Sequence, residues 1–561
     1  MRCKRSLAKG FRKAGIIVTE RNRTMNRWTI LTLVNCFLAG APGLLPSIVA
    51  TADRSLSLAQ ALAEERKERP LTAPLVDSGS SGVADVRAFG AIGDGKTDDT
   101  EALRAALAAV KTAGGGVVYL PAGQYRINPT TAGVIGTAFN FSPQGGNWYT
   151  ALLIDSDDVT IRCASQRAVF LVAASDIGKR ANVAIAVKGT DWRPVRRARI
   201  EGCAFNLQNQ TGAVALYAQH AQDVVFVNNA IRNHASTIDT VTLDNTVGAI
   251  IAHNQWRDGS IATGLYQSSD VTIAANTFYN VAEALDADKP VTRGAGPGGH
   301  GITVTGNVYD RDALDTAGDA AWEINGFTDV IIAGNTIRRS NNGVHLTAKV
   351  LNGQPYPAER ITIKNNTIEA VNGIGIALGD ISDNSFVNHR DIVIEGNVIH
   401  NSGKEGIRIR GTNVMVRGNI IRRSGGFGVE AAQLLADRGY NVNRLTHFVI
   451  ADNLVSDGTR SGIYSAGGIH GTVSGNRVYH NGAMDPSIHL IDANNVILIG
   501  NSTSDGAEGI RMTVGAGAVG ARNLLIGNVA LEAQGFRSVG GATDQTTLGN
   551  VGTYVPVLQQ R

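Results

Sequence analysis

One pattern, Gly–apolar–x–apolar–x, returns along this chain, and its x positions carry acids first, then a histidine, then arginines. In chain order they are Asp239, Tyr266, Asp286 with Asp288, Glu323 with Asn325, His345 with Thr347, Ala377, Arg408 with Arg410, Glu430, Tyr464, His489 and Arg511. Side chains alternate across a strand, so the apolar positions face a core and each x faces solvent. An ordinary solvated face mixes Lys, Glu, Ser and Thr. This one sorts its charges, which suggests a groove with chemistry at its centre.

Two chemistries use such groups. Asp286 or Asp288 with Glu323 can serve as acid and base in inverting hydrolysis, which needs carboxyls roughly 6.5–9.5 Å apart. His345 can instead take a proton from a carbon beside a carboxylate. Arg408 and Arg410, about 6.6 Å apart on one strand, would neutralise that carboxylate by bidentate bonds. Tyr464 or a water would then protonate the leaving oxygen. Tyr266, Glu430, Asp239 and His489 are candidate substrate contacts, with Tyr266 and Tyr464 offering ring faces to sugars. Each candidate has a structural alternative. Asp286 and Asp288 can pair with Lys289 and Arg293, and Arg408 can bridge to Glu405 or Glu430.

The elements that position these residues are coils. Thirteen asparagines, Asn229, Asn254, Asn276, Asn307, Asn335, Asn366, Asn397, Asn419, Asn453, Asn476, Asn501, Asn528 and Asn550, share the context apolar–x–Gly/Asn–Asn–x–apolar, with His253, Ala275 and Asp452 in the Gly/Asn place before three of them. A recurrence every 22 to 34 residues marks a solenoid, whose units bury their apolar faces only by stacking. Asparagines at equivalent turns can bond one above another. The row of x residues is expected on the second strand of each coil, opened by Gly after the Asn turn.

Composition bounds the rest. The chain has 561 residues, 43% hydrophobic, with 66 Gly and 14 Pro, as turn-rich globular structure requires. A basic region (Arg2 to Arg27) precedes an apolar run from Trp28 to Val49 and Ala50-Thr51-Ala52, the pattern of a cleaved secretory leader; Met25 is an alternative start. Removing residues 1–52 takes away nine of 52 Lys/Arg and one of 48 Asp/Glu, leaving 43 against 47, net −4. That balance argues against nucleic acid as a partner. Cys163 and Cys203 read as small buried fillers, with a disulfide open if their coils are adjacent. No Cys spacing suggests a metal.

The clearest motif lies near the start: Phe89-Gly90-Ala91 with Asp94-Gly95 and Thr97-Asp98-Asp99, then Leu120-Pro121-Ala122-Gly123-Gln124-Tyr125. Between them Leu103, Leu107 and Val110 share a helical face, with Asp98 and Glu101 as a capping box. The segment resembles the N-terminal motif of the pectate lyase superfamily. That resemblance implies a right-handed parallel β-helix acting on polysaccharide, with the motif capping the fold rather than reacting. Gly299-His300-Gly301 and Arg408-Ile409-Arg410 look like polygalacturonase motifs set too far apart. The mannuronan epimerase motif is missing, since Ser487 follows Asp485-Pro486.

The reading is therefore an all-β, single-stranded right-handed parallel β-helix of about 12–15 coils. Residues 1–52 form a leader, 53–82 a linker, 83–150 a cap with the first coils, 151–552 the helix and 553–561 a tail. The expected function is cleavage of an extracellular, uronate-containing polysaccharide, with lyase chemistry ahead of hydrolysis. C5-epimerisation and non-catalytic glycan binding or exopolysaccharide export are the other readings. The protein is expected to be secreted or periplasmic and monomeric, without stable membrane insertion. No cofactor is required; Ca²⁺ is possible, though no Asp-rich calcium nonapeptide occurs.

Overall fold

The computed structural model describes residues 82–129, 134–137, 147–173, 181–210, 212–234, 239–288, 299–315, 320–351, 354–379, 389–432, 445–482, 484–513, 522–532, 534–539 and 546–555. The leader, nearly all of the linker and most of the tail lie outside them, as do Lys289 and Arg293. One coil shows the plan. Glu359–Lys364 is a first strand, Asn365-Asn366 turns the chain, Thr367–Val371 is a second strand and Ile376–Leu378 a third. The next coil repeats it 31 residues on, with Glu359 in register with Arg390. First strands build a 17-stranded parallel sheet, while second and third strands form a 32-stranded sheet around the other sides. Seventeen first strands exceed the 12–15 coils expected, because the rungs before Asn229 carry no ladder asparagine. The row of x residues from Asp286 onward also lies on the third strand, not the second.

The asparagine ladder is continuous. Cys203 N–H donates to Asn229 Oδ1, Asn229 N–H to Asn254 Oδ1, and so on to Asn528 N–H and Asn550 Oδ1, at 2.8–3.1 Å. Asn335 Nδ2 donates both to the previous coil, at Val304 O, and to Asn366 Oδ1, each at 2.9 Å. The residue before every ladder asparagine is left-handed, with φ between 53° and 65°. Gly and Asn tolerate that region best, which explains the Gly/Asn–Asn dipeptide. Ala275 occupies it at φ 53°.

Where the ladder has no asparagine, a covalent link stands. Arg199–Glu201 runs in register beside Thr160–Arg162, so the following cysteines meet on neighbouring rungs. Cys163 and Cys203 are buried and disulfide-bonded, Cα atoms 5.0 Å apart; they are a bridge and not merely fillers. Inside the coils, Phe170, Phe205, Phe226, Trp256, Phe278 and Trp322 form a chain of ring contacts 4.8–6.5 Å apart.

The N-terminal motif is spent on structure. Helix Thr100–Thr112 buries Leu103, Leu107 and Val110 over the first coils. Its start differs from the expected capping box. Asp98 accepts from Thr100 N–H (3.0 Å), while Glu101 pairs with Arg104 (2.8 Å). Asp99 turns backward instead, accepting from Ile92 N–H (2.7 Å) and Gly93 N–H (3.1 Å). Asp94 accepts from Lys96 and Thr97 N–H, both at 2.8 Å. Three carboxylates thus fold one loop onto the helix start.

Two substitutions test this account. Asn335→Ala leaves buried amide groups unpaired and should lower unfolding free energy by about 1–3 kcal/mol. Ala275→Gly relieves a left-handed alanine and should raise it by about 1 kcal/mol. Urea unfolding followed by circular dichroism measures both.

Candidate functional site

The third strands set one column in strict register. Gly264 aligns with Asp286, Asp286 with Glu323, Glu323 with His345 and His345 with Ala377. Ala377 aligns with Arg408, then Glu430, Tyr464, His489 and Arg511. Residues 22 to 37 apart in the chain thereby stand one rung apart, about 4.8 Å. The order expected from Asp286 to Arg511 is the order found.

Tyr266 and Asp239 are not in that column. Tyr266 lies two residues along its strand, level with Asp244 and Asp288. Asp239 precedes Val241–Val247 and swings its carboxylate over Gly264, where a Cβ would lie 1.8 Å from Oδ2. Tyr266 Oη donates to that carboxylate at 2.5 Å. Both are buried, at 4% and 2% exposure, not solvent-facing as the alternation suggested, because each covers the other.

The same correction applies to Arg408, at 6% exposure, and Arg410, at 4%. Arg408 Nε donates to Glu430 (2.6 Å) and its Nη2 to Glu405 (2.7 Å). Two carboxylates offset its charge, so Arg408 forms a structural ion pair rather than a spare uronate anchor. Further along, Tyr464 stacks on Phe427 with centroids 4.2 Å apart, and burial, then the Glu430 charge, raises its hydroxyl pKa. Tyr464 stands four rungs from His345, about 19 Å along the stack. One sugar cannot meet His345 as base and Tyr464 as acid. His489 bonds Thr513 Oγ1 at 3.0 Å, and burial followed by Arg511 lowers its pKa to about 4. Arg511 pairs with Glu508, which also holds Arg537 (2.9 Å).

Around His345 the arrangement is different. Glu323 Oε1 accepts from Asn325 Nδ2 at 2.8 Å, fixing the carboxylate beside the histidine. His345 is half-buried and its Nδ1 has no hydrogen-bond partner. Among the described residues, the next rung places Ala377 level with His345, with Gly379 two residues on. Beneath this rung lies His389, which the sequence reading missed. Its Nδ1 accepts from Ala358 N–H (3.1 Å), which places the proton of the neutral ring on Nε2. A Cβ at Gly379 would lie 3.7 Å from that Nε2 and 3.8 Å from Arg410 Cδ. Burial is the main cause lowering the His389 pKa to about 4, and the Arg410 and His345 charges add to it. His389 opens a first strand and turns back under the row, so the third-strand pattern could not have shown it.

Comparison with known proteins fits this architecture. Residues 83–293 match the family model described as rhamnogalacturonase A/epimerase, pectate lyase-like, and residues 355–530 match the right handed beta helix region. The chain is thus similar to pectate lyase-like proteins over its N-terminal part and to right-handed β-helix proteins over its C-terminal part. Among curated relatives, mannuronan C5-epimerase AlgE3 of Azotobacter vinelandii is 30% identical over 262 residues, 37% of this chain and 14% of that protein. Alginate lyase 7 of the same organism is 63% identical over 43 residues, 8% of this chain and 5% of that protein. The chain thus spans a small part of each relative's length. Among solved structures, the AlgE4 A-module of A. vinelandii aligns at 16% identity and TM-score 0.35, covering 77% of this chain and 100% of that one. A Thermotoga maritima exopolygalacturonase aligns at 12% and 0.39, covering 69% and 89%.

Within this fold, the polygalacturonase-like motifs of this chain do not meet. His300 begins a strand of the 17-stranded sheet, in register with Thr328, whereas Arg408 lies on the third strands. Asp288 stands in register beside Tyr266. Among the described residues, no three His, Cys, Asp or Glu side chains are set to hold a metal ion.

The buried histidines give a pH test. His234, His389 and His489 each have a folded pKa of about 4 against an ordinary 6.5. Between those values the unfolded chain binds protons that the native chain does not. Stability should be full above pH 6.5 and fall as pH drops toward 4. Melting temperatures across that range should show the loss, and His389→Gln should make it shallower.

Proposed function

We propose that this protein is an extracellular enzyme that cleaves a uronate-containing polysaccharide by abstracting the C5 proton, with His345 as base. The carrying observation is the placement of Asp286, Glu323 and His345 on three consecutive rungs, followed by the rung of Ala377 and Gly379. A sugar seated there meets His345 from one side. In the reaction, His345 takes H5 and the C5–H electron pair becomes the C4–C5 double bond. The C4–O4 bond breaks, and the leaving oxygen takes a proton from water. Glu323 stabilises the protonated imidazole on the adjacent rung. Two relatives carry names for chemistry on such polymers, mannuronan C5-epimerase and alginate lyase. Epimerisation would share the first step and return the proton to the opposite face.

Extracellular placement is supported by the Cys163–Cys203 bridge, because disulfides persist in oxidising compartments. No helix among the described residues is long and apolar enough to cross a membrane. Hydrolysis by Asp286 and Glu323 is the second reading, favoured by their adjacency in the column.

Products separate these readings. Incubation with polymannuronate, polyguluronate and polygalacturonate should give ultraviolet absorbance from unsaturated uronate together with new reducing ends. His345→Ala should cut that rate by about 10²–10⁴-fold. Reducing ends without absorbance, lost in Glu323→Gln and kept in His345→Ala, would establish hydrolysis. Altered C5 configuration by nuclear magnetic resonance without cleavage would establish epimerisation, and binding alone a non-catalytic role.

A further inference from the structure

The strand Ala181–Lys188 lies on the same face as the reactive column, at its N-terminal end. Ala186 aligns with Tyr217, Tyr217 with Thr242, Thr242 with Gly264 and Gly264 with Asp286. The chain then makes a tight turn from Gly189 to Val195. At its tip Trp192 is 91% exposed. The turn is braced at every side. Gly189 N–H donates to Gln219 O at 3.0 Å. Thr190 and Arg193 exchange backbone bonds at 3.0 and 3.1 Å, and Arg193 N–H also reaches Thr190 Oγ1 at 3.1 Å. Asp191 pairs with His220 Nδ1 on the neighbouring coil at 2.8 Å. Gly189 admits no side chain, since a Cβ there would lie 2.4 Å from His220 O.

A single exposed apolar residue is ordinary. A tryptophan held out by a braced turn is different, because the backbone that carries it is already ordered while its ring remains in water. An indole face in that state suits a flat apolar surface with polar edges, which is what the C–H face of a pyranose presents. Asp191 and Arg193, both exposed beside it, suit the ring hydroxyls. Trp192 belongs to a turn about four rungs, some 19 Å, from the level of Asp286, too far to touch a sugar reacting at His345.

The geometry points to Trp192 as a remote stacking platform for one sugar ring of a long polysaccharide lying along the third-strand face. This rests on the polysaccharide reading above, but not on which reaction occurs. Such a platform contributes only to chains long enough to span from His345 to the turn. Short oligomers that fill the reacting rungs never reach it.

Tryptophan fluorescence tests this directly. The chain has five tryptophans. Trp148, Trp256 and Trp322 are buried, and Trp192 is the only exposed one among the described residues. The full chain is titrated with polymannuronate, polyguluronate and polygalacturonate, and with their trimers, following emission and acrylamide quenching. The expected result is a blue shift and protection from quenching with a polymer, neither with its trimer, and neither in Trp192→Ala. Trp192→Ala should weaken polymer binding about tenfold, leave trimer binding and trimer turnover unchanged, and be largely rescued by Trp192→Phe. The proposal is overturned if a polymer that the chain binds leaves emission unchanged. Equal weakening of polymer and trimer binding also overturns it, as does wild-type polymer affinity in Trp192→Ala. Polymer binding that depends on Trp192 without any product would uphold the platform and sink the catalytic reading. Binding to none of the polymers would sink both.

Discussion

Everything in this molecule depends on register, and register depends on a buried amide. Each ladder asparagine after Asn229 accepts the backbone N–H of the asparagine one coil earlier, and most donate through Nδ2 to the next. A coil shifted by one residue would lose both bonds inside the core and leave polar groups unpaired there. It would also turn every third-strand side chain over, because alternation has a period of two. The cost of a slip is therefore paid twice, once in hydrogen bonds and once in buried apolar surface. That double penalty keeps Asp286, Glu323 and His345 in one column although 59 residues separate the first from the last.

The column divides into two electrostatic regimes. Beyond Ala377 the charges are matched within the protein: Arg408 by Glu405 and Glu430, Arg511 by Glu508, with Arg537 on the same carboxylate. Burying a paired ion is tolerable, whereas burying a single one is not, so these rungs read as a satisfied wall. His389 and His489 extend the same logic by giving up their protons. Before Ala377 the carboxylates of Asp286 and Glu323 stand one rung apart beside a half-buried histidine.

Much of this was legible in the sequence because a solenoid converts spacing into position. The repeating Asn context gave the coil, and the x positions from Asp286 to Arg511 fell into their true order. The failures have particular causes. Tyr266 was misplaced because Gly264, which reads as the glycine that opens the strand, itself occupies the column position level with Asp286. Asp239 was misplaced because glycine at 264 leaves room that a neighbouring carboxylate fills. The pairing of Arg408 was an open alternative in the sequence and required rotamers to decide. His389 was invisible, since it comes from another strand and enters the row from below. The 17 first strands were undercounted because the repeat that marks a coil starts only where the cysteine bridge ends.

That last point connects sequence and stability. A ladder needs a first rung whose N–H is used but whose side chain need not accept from above. Cys203 fills this role: its N–H donates to Asn229, and its sulfur bonds covalently to the preceding rung. The bridge thus stands where amide-to-amide bonding stops, and the loop held by Asp94, Asp98 and Asp99 closes the stack above it. The most specific motif in the chain consequently describes the end of the solenoid and not its chemistry. Residues that terminate a repeat must meet one fixed geometry, while residues that line its groove need only share a column. A strong family motif and an individual active site are therefore compatible in the same chain, and the motif cannot by itself name the reaction.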